Sequence, residues 1–457
     1  MTETPWALAR DARRALRQGP AALARRRRAR LADLVAYARA NSPYYRELYQ
    51  GLPDHVEDPA LLPATDKKAL MARFDDWPTD REVTLDRVQA FVSDPLLVGA
   101  RFQGRYLVAT SSGTSGVRGL FLMDERHLAV HTALGARTSG GLGAADAARM
   151  LARAGRTAVV TAPGGHFSTV AATARFRLDH PWAGRILRVF SIEQPLEDLV
   201  AELNRYRPAT LSGFLSMLTV LAGEQRAGRL RIRPGVVIAG GETMTGKARD
   251  ELASAFGAQV RAAYASTECG FLSVGCAQCW YHLNSDWALA EPVDADHRPV
   301  APGEPSHTVL ISNLANRVQP ILRYDLGDSV LVRPEPCPCG NPLPAMRVRG
   351  RAADVLTFAT GGGEHVDLSP MVFGVLLDRL PGVERFQIVQ TGPSELRVRL
   401  AAADGADTAG VWRTVLDALG ALLAGHGAGG VTVVRAEEPP QRSSGGKFRR
   451  VLPLAAP

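Results

Sequence analysis

Between residues 105 and 265, short apolar β-rich runs alternate with helical segments, and this alternation limits the possible folds more than any other feature of the chain. The runs are Thr157–Ala162, Ile186–Phe190, Ala209–Ser212, Val236–Ala239 and Gln259–Tyr264; the helical segments cover 195–206, 214–227 and 245–256. Such a pattern predicts an α/β architecture with a mostly parallel sheet. Residues 1–50 predict helices ending at Asn41-Ser42-Pro43, and 270–345 is a Pro-, Cys- and Asn-rich β region. After Arg349-Gly350-Arg351 the pattern becomes strand (354–358), helix (369–380), strands (384–391 and 394–402), helix (408–424) and strand (430–436). This is a small α+β unit, so the expected domains are 1–349 and 350–457.

A chain of 457 residues is too long for one compact domain, and an apolar fraction of 46% provides a large core. No apolar run reaches the roughly 18 residues of a membrane span. The first residues, MTETPWALARDARRALRQ, lack the apolar centre of a signal peptide, so a cytoplasmic protein is expected, with no membrane partner. The net charge is +8, with an arginine run at Arg25, Arg26, Arg27, Arg28 and Arg30. Leu23, Leu31, Leu34 and Val35 supply an apolar stripe on the same helix, and the run reads as its solvated face. Lysine is rare: of 54 basic residues only Lys67, Lys68, Lys247 and Lys447 are lysines. An arginine-rich chain that keeps lysine in Ser443-Ser444-Gly445-Gly446-Lys447-Phe448 suggests a need there for a compact ammonium.

The tract Thr110-Ser111-Ser112-Gly113-Thr114-Ser115-Gly116 lies between apolar runs at Tyr106–Ala109 and Leu120–Met123. Its glycines and hydroxyls suit phosphate oxygens, although no lysine follows as in a Walker loop. Ala239-Gly240-Gly241-Glu242 ends one apolar strand, where a glycine pair lets a flat ring approach the backbone. Tyr264-Ala265-Ser266-Thr267-Glu268 ends another and offers a ring, a hydroxyl and a carboxylate. Tyr324-Asp325-Leu326-Gly327-Asp328 presents a carboxylate on a tight turn, suited to paired ribose hydroxyls. Singly, each motif is also what an ordinary strand-end turn looks like; their order is what makes a nucleotide site.

Five cysteines in a cytosolic chain call for an account other than disulfides. Cys276 and His282 have the spacing C-x5-H, and Cys337 and Cys339 form C-x-C before Gly340. Three thiolates and one imidazole make a closed, structural zinc site. Cys279 competes for the place of His282. A nucleic-acid-binding zinc knuckle would need basic residues interleaved with aromatics. The flanks carry Asp286, Glu291 and Glu335, with only Trp280 and Tyr281 adjacent, so no nucleic acid is expected.

In this order the motifs resemble those of the adenylate-forming enzymes, the acyl-CoA synthetase and adenylation-domain superfamily, and within it the phenylacetate–CoA ligase and coenzyme F390 synthetase-like branch. The resemblance covers nearly the whole chain. It implies a large N-terminal domain with mixed, mostly parallel sheets and a small mobile α+β C-terminal domain. It also implies zinc ligands Cys276, His282, Cys337 and Cys339, with histidine favoured over Cys279, inside a segment of about 269–345. By motif, Ser111, Ser112, Gly113, Thr114, Ser115 and Gly116 would hold the β- and γ-phosphates of ATP. Gly241, Glu242 and Tyr264 would frame adenine, Thr267 the α-phosphate and Glu268 Mg²⁺. Asp328 and Arg351 would hold the ribose. Lys447 would bridge the substrate carboxylate and the α-phosphate.

The implied reaction makes an acyl- or aryl-adenylate, releases pyrophosphate, and passes the acyl group to CoA after the C-terminal domain rotates. His166, Phe167 and Phe214 are candidates for the acid pocket, and the two phenylalanines favour an aromatic or short apolar acid. A homodimer is one assembly open to such a chain, and the sequence does not set the oligomeric state. Two departures stand out. Val117-Arg118-Gly119 replaces a more usual proline and lysine, and the hinge reads Gly350-Arg351-Ala352-Ala353-Asp354, with Ala353 at the pivot. The latter leaves open transfer to an amine, another nitrogen nucleophile or a carrier-protein thiol.

Overall fold

The protein is described from a computed structural model, covering residues 4–111, 119–138, 143–162, 165–351, 355–359, 365–368, 370–377, 380–442 and 448–454. Its contacts divide it into two compact units. The first comprises 1–304, 309–326 and 332–347; the second comprises 305–308, 327–331 and 348–457.

The first unit opens with helices α1 (Pro5–Gln18), α2 (Pro20–Asn41) and α3 (Pro43–Leu48), each beginning on proline, whose fixed φ suits a first helical turn. Two members of the arginine run on α2 are used internally, while Arg25 and Arg28 are exposed. Arg26 and Arg30 pair with Asp11 at 2.9 and 2.8 Å, and Arg30 lies 3.5 Å over the Trp287 ring. Short helices α4 (Lys67–Ala72) and α5 (Leu85–Ser93) lead to strands β1 (Arg101–Phe102), β2 (Tyr106–Thr110) and β3 (Leu120–Met123), an antiparallel sheet in that order. Helix α6 (Glu125–Thr138) ties this region together: Arg137 donates to both Asp286 carboxylate oxygens at 2.8 and 2.9 Å and to Ala12 O at 3.1 Å.

After α7 (Ala144–Ala152) comes the parallel sheet that the alternation predicts. Its strands are β4 (Thr157–Thr161), β5 (Leu187–Ser191), β6 (Thr210–Phe214), β7 (Val236–Gly240) and β8 (Gln259–Ala263). They are joined by α8 (Ser168–Asp179), α9 (Leu196–Tyr206), α10 (Leu215–Arg226) and α11 (Gly246–Phe256). The order is β5-β4-β6-β7-β8, all neighbours parallel. Val160, Leu211 and Val237 from the sheet pack with Leu203, Leu218, Leu221 and Phe256 from the helices. Each such side chain contributes about 1.5–3 kcal/mol by leaving water.

The chain continues through β9 (Ser273–Gly275), β10 (Tyr281–Leu283), β11 (Ala288–Val293), β12 (Thr308–Asn313), β13 (Ile321–Asp325), β14 (Asp328–Val332) and β15 (Ala345–Arg351). Strands β11-β12-β13 form one sheet, and β9, β10 and β15 are antiparallel neighbours in another.

The second unit holds the hairpin β16 (Leu356–Ala359) and β17 (His365–Leu368), then α12 (Pro370–Leu377), β18 (Val383–Gly392), β19 (Glu395–Ala402), α13 (Thr408–Gly425), β20 (Thr432–Arg435) and β21 (Val451–Leu452). The sheet order is β20-β19-β18-β21, with core residues including Phe358, Phe373, Phe386, Ile388 and Leu419. Strands β17 and β21 were not foreseen from the sequence pattern. Among the described residues no helix is long and apolar enough to cross a membrane.

Candidate active site

The topology of the parallel sheet says where a ligand would lie. From β4 the chain moves outward to β5, then returns to the other side of β4 for β6, so the order reverses between β4 and β6. In open α/β sheets, ligands sit beyond the carboxyl ends of the strands at such a switch point. Phe167, which directly follows the turn Gly165–His166 and stands at the N-terminus of α8, and Phe214, which ends β6, both lie at this edge, and both are half-buried. Gly213 separates the strands here: a β-carbon on it would come within 2.8 Å of Val160 O. Gly241 (φ +75°) follows β7, and Tyr264 follows β8, at the same edge.

Two candidates take structural positions. His166 is fully buried; its ring packs against Phe91 with centroids 5.5 Å apart, and Nε2 lies 3.4 Å from Asp94 O. Its ring is thus packed in the interior beside α5. The Glu242 carboxylate accepts from Ser216 N at 2.7 Å and Ser216 Oγ at 2.8 Å. It caps the first turn of α10, where a negative charge meets free N–H groups.

The turn after β8 is rigidly held. The Tyr264 ring is 5.8 Å from that of Tyr281, and its carbonyl accepts from Ser273 Oγ at 3.1 Å. Thr267 is half-buried. Glu268 is 7% exposed, and its Oε1 accepts the Tyr324 hydroxyl at 2.9 Å. Burial, then the adjacent Glu268 charge, push the Tyr324 phenol far up, so it remains a donor. Behind this pair, Asn313 Nδ2 donates to Glu268 O at 2.9 Å and lies 3.1 Å from His127 Nδ1. Burial pushes the His127 imidazole down to about 3. It is therefore neutral, and Nδ1 accepts the second Asn313 hydrogen. Tyr324, Asn313 and His127 were not identified as site residues from the sequence; Tyr324 lay inside a quoted motif, whereas His127 and Asn313 carry no local signal.

Ser111 marks the base of the phosphate-loop candidate: its Oγ accepts from Gly119 N at 2.8 Å and its N–H donates to Gly119 O at 3.0 Å. Ser112, Gly113, Thr114, Ser115, Gly116 and Arg118 lie outside the described residues, as do Ala353 and Lys447.

In the second unit, Arg351 Nε lies 3.3 Å from Asp328 Oδ1, so the two ribose candidates form a pair. Arg442 and Phe448, on either side of Lys447, are bridged as antiparallel partners. The buried Gln387 amide holds both flanks: Nε2 donates to Gln441 O at 3.0 Å and to Arg449 O at 2.8 Å. Oε1 accepts from Arg399 at 2.8 Å. Gln387 was also missed, because a lone glutamine in a strand looks like an exposed one.

The cysteines and His282 converge. Cys276 follows β9, His282 is the centre of β10, and Cys337 and Cys339 lie in the turn before β15, which pairs with β10 at His282 and Ala345. The three Sγ atoms and the imidazole nitrogen lie within 4.8 Å of one another. Cys276 and Cys337 Sγ are 3.9 Å apart, and Cys339 Sγ is 3.2 Å from His282 Nε2. Metal–sulfur bonds of about 2.3 Å in a tetrahedron give sulfur–sulfur edges of about 3.8 Å. His282 Nδ1 donates to Leu343 O at 3.0 Å, which leaves the Nε2 lone pair facing the thiols. Burial opposes ionisation of Cys276, yet its interaction with His282 and hydrogen bonds from nearby backbone N–H groups bring it down to about 6. Cys339 is pushed up to about 11 by partial burial and by the Cys337 and Cys276 thiols. One thiolate thus forms readily and the next is resisted, which a bound dication would reverse. Cys279, in a left-handed turn at φ +55°, is not part of the cluster.

Against this geometry, no family model matches the chain, and no curated protein matches it. Solved structures do. A 2-hydroxyisobutyryl-CoA ligase, in complex with 2-HIB-AMP in its postadenylation state, aligns with a TM-score of 0.65 at 21% identity, over 94% of this chain and 88% of its own. An anthranilate CoA ligase in complex with anthranoyl-AMP aligns at 0.51 and 13% identity, over 75% and 65%. A benzoate CoA ligase from Burkholderia xenovorans LB400 gives 0.50 and 16%, over 76% and 67%. At these identities the likeness is one of fold: this chain is built as the adenylate-forming CoA ligases are.

Proposed function

We propose that this protein is an AMP-forming ligase that activates an organic acid with ATP and transfers the acyl group to CoA, in the manner of the phenylacetate–CoA ligases. The observation that carries the reading is the set of Tyr264, Thr267 and Glu268 on one braced turn at the carboxyl edge of the parallel sheet, in a chain with the CoA-ligase fold.

In this reading the substrate carboxylate oxygen attacks the α-phosphorus, an acyl–O–P bond forms, and the bond to the β-phosphate breaks with pyrophosphate leaving. Negative charge approaches negative charge, so the requirement is electrostatic and no general base is needed. Glu268 would hold Mg²⁺, which would supply part of that neutralisation. Tyr264 stacks on adenine and Thr267 contacts the α-phosphate. Glu242 contributes through its backbone beside Gly241, its side chain being committed to α10. Ser111 to Gly116 for the β- and γ-phosphates, Asp328 with Arg351 for the ribose, and Lys447 for the carboxylate and α-phosphate follow from the motifs. Phe167 and Phe214 suit an aromatic acid. CoA thiolate then attacks the acyl carbon and AMP leaves. Cys276, His282, Cys337 and Cys339 would hold a structural zinc that ties together the β10–β15 region.

The test is a panel of aromatic and short aliphatic acids scored for acid-dependent pyrophosphate release, then product analysis with and without CoA. No acid-dependent release anywhere in a broad panel removes the reading. Adenylate that accumulates and never becomes a thioester shifts the acceptor to a nitrogen nucleophile or a carrier-protein thiol, as Ala353 allows.

A further inference from the structure

The edge of the parallel sheet opposite Phe214 and Tyr264 carries a concavity of about 410 Å³ lined by Arg156, Gly184, Arg185, Arg188, Arg205 and Tyr206. Arg156 immediately precedes β4, Arg185 and Arg188 stand at the start of β5, and Arg205 and Tyr206 end α9 just before β6. These are the amino ends of three adjacent strands, β5-β4-β6. A five-residue strand spans about 17 Å, so the pocket and the carboxyl-edge site are separated by the depth of the sheet.

Four guanidinium groups in one depression repel one another. Elsewhere many of the chain's arginines are paired: Arg26 and Arg30 with Asp11, Arg137 with Asp286, Arg175 with Asp179, Arg229 with Glu224. Here, among the described residues, none of Arg156, Arg185, Arg188 and Arg205 pairs with a carboxylate. Arg156 Nε is buried and has no hydrogen-bond partner. Two of the four charges rest on aromatic faces. Arg188 lies 5.3 Å from the centroids of both Phe190 and Tyr206, and Arg156 lies 5.9 Å from that of Tyr206. The C-terminal dipole of α9 accounts for Arg205 but not for the other three. A buried donor without a partner and an uncompensated cluster both favour an anionic ligand. Guanidinium forks match phosphate oxygens two at a time.

We propose that this pocket is a second anion site, separate from the site of acid activation, and that it takes a small ligand bearing two or more linked phosphate groups. Its volume suits such a compound.

The test is calorimetric titration of inorganic tripolyphosphate, without Mg²⁺, into three full-length proteins. These are the wild type, the double variant Arg185→Ser/Arg188→Ser, and a charge-matched control, Arg13→Ser/Arg14→Ser, on the exposed face of α1. All four residues are exposed, so each variant should fold. The expected result is loss of one tripolyphosphate equivalent per chain in the pocket variant, or at least a tenfold weaker site, with the control unchanged. Equal weakening in both variants would reduce the effect to overall charge and overturn the proposal. So would an unaltered pocket variant, or a wild type that binds none. A 15-nucleotide single strand that binds through the same arginines while tripolyphosphate does not would replace the small ligand with a nucleic-acid backbone.

Discussion

The Tyr324 hydroxyl donates to Glu268 Oε1 at 2.9 Å, with both side chains buried. The phenol fixes the direction of a carboxylate that the proposed chemistry needs for a cation. A hydrogen bond to a charged group is worth about 1.5–3 kcal/mol. Replacing Tyr324 with Phe should lower the rate of acid-dependent pyrophosphate release by about tenfold or more, with the KM for the acid little changed. Glu268→Gln should lose more and shift the Mg²⁺ dependence upward. A Tyr324→Phe enzyme with unchanged kcat would show that the pair is only structural.

The thiol–imidazole cluster leads to a second expectation. Zinc removal by a strong chelator should lower the thermal midpoint by several degrees, and total metal analysis should return about one zinc per chain. A structural site contributes on the order of 10 kcal/mol of binding free energy. Cys337→Ser should behave like the chelated protein, while Cys279→Ser, outside the cluster, should match the wild type. Wild-type protein that carries no zinc and is indifferent to chelation would remove the metal.

The limits of the sequence can be seen in these same residues. The parallel sheet was legible because each strand is a short apolar run set off by an amphipathic helix, a purely local pattern. The cluster of Cys276, His282, Cys337 and Cys339 was legible from residue type and spacing, although choosing His282 over Cys279 needed the resemblance. The structure supplies a physical reason for that choice: His282 sits mid-strand with its Nδ1 on Leu343 O, whereas Cys279 occupies a left-handed turn. The sequence did not show that the Glu242 carboxylate accepts from Ser216 at the start of α10, because that contact joins positions 26 residues apart. His127 and Asn313 could not be read, since their meaning depends on contacts 186 residues apart along the chain. Arg137 and Asp286 were invisible for the same reason.

His127 makes acid stability testable. Its folded value of about 3 lies below the ordinary 6.5 because burial disfavours the imidazolium. Between these values the unfolded chain binds a proton that the folded chain refuses. The contribution is therefore complete above pH 6.5 and is lost progressively as pH falls toward 3. Urea midpoints measured from pH 7.5 to 4.5 should fall for the wild type and fall less steeply for His127→Gln. Parallel slopes for the two proteins would assign the acid sensitivity to other groups.

The Gln387 amide grips Gln441 O and Arg449 O, the two flanks of the segment that carries Lys447. Lys447→Ala should abolish adenylation while ATP binding largely survives, since the ammonium is needed where charge develops between carboxylate and α-phosphate. Gln387 touches no reacting atom in this account and acts by positioning. Gln387→Leu keeps the volume but leaves both carbonyls without their donor, which loosens the segment within an intact β18–β19 pair. The expected result is a fall in kcat for adenylation on the order of tenfold, with unchanged KM for ATP and acid. Thioester formation from preformed acyl-adenylate should be untouched, because in the proposed reaction Lys447 serves only the first half-reaction. If both half-reactions slow in proportion, the glutamine supports the fold of the unit and not the placement of the lysine.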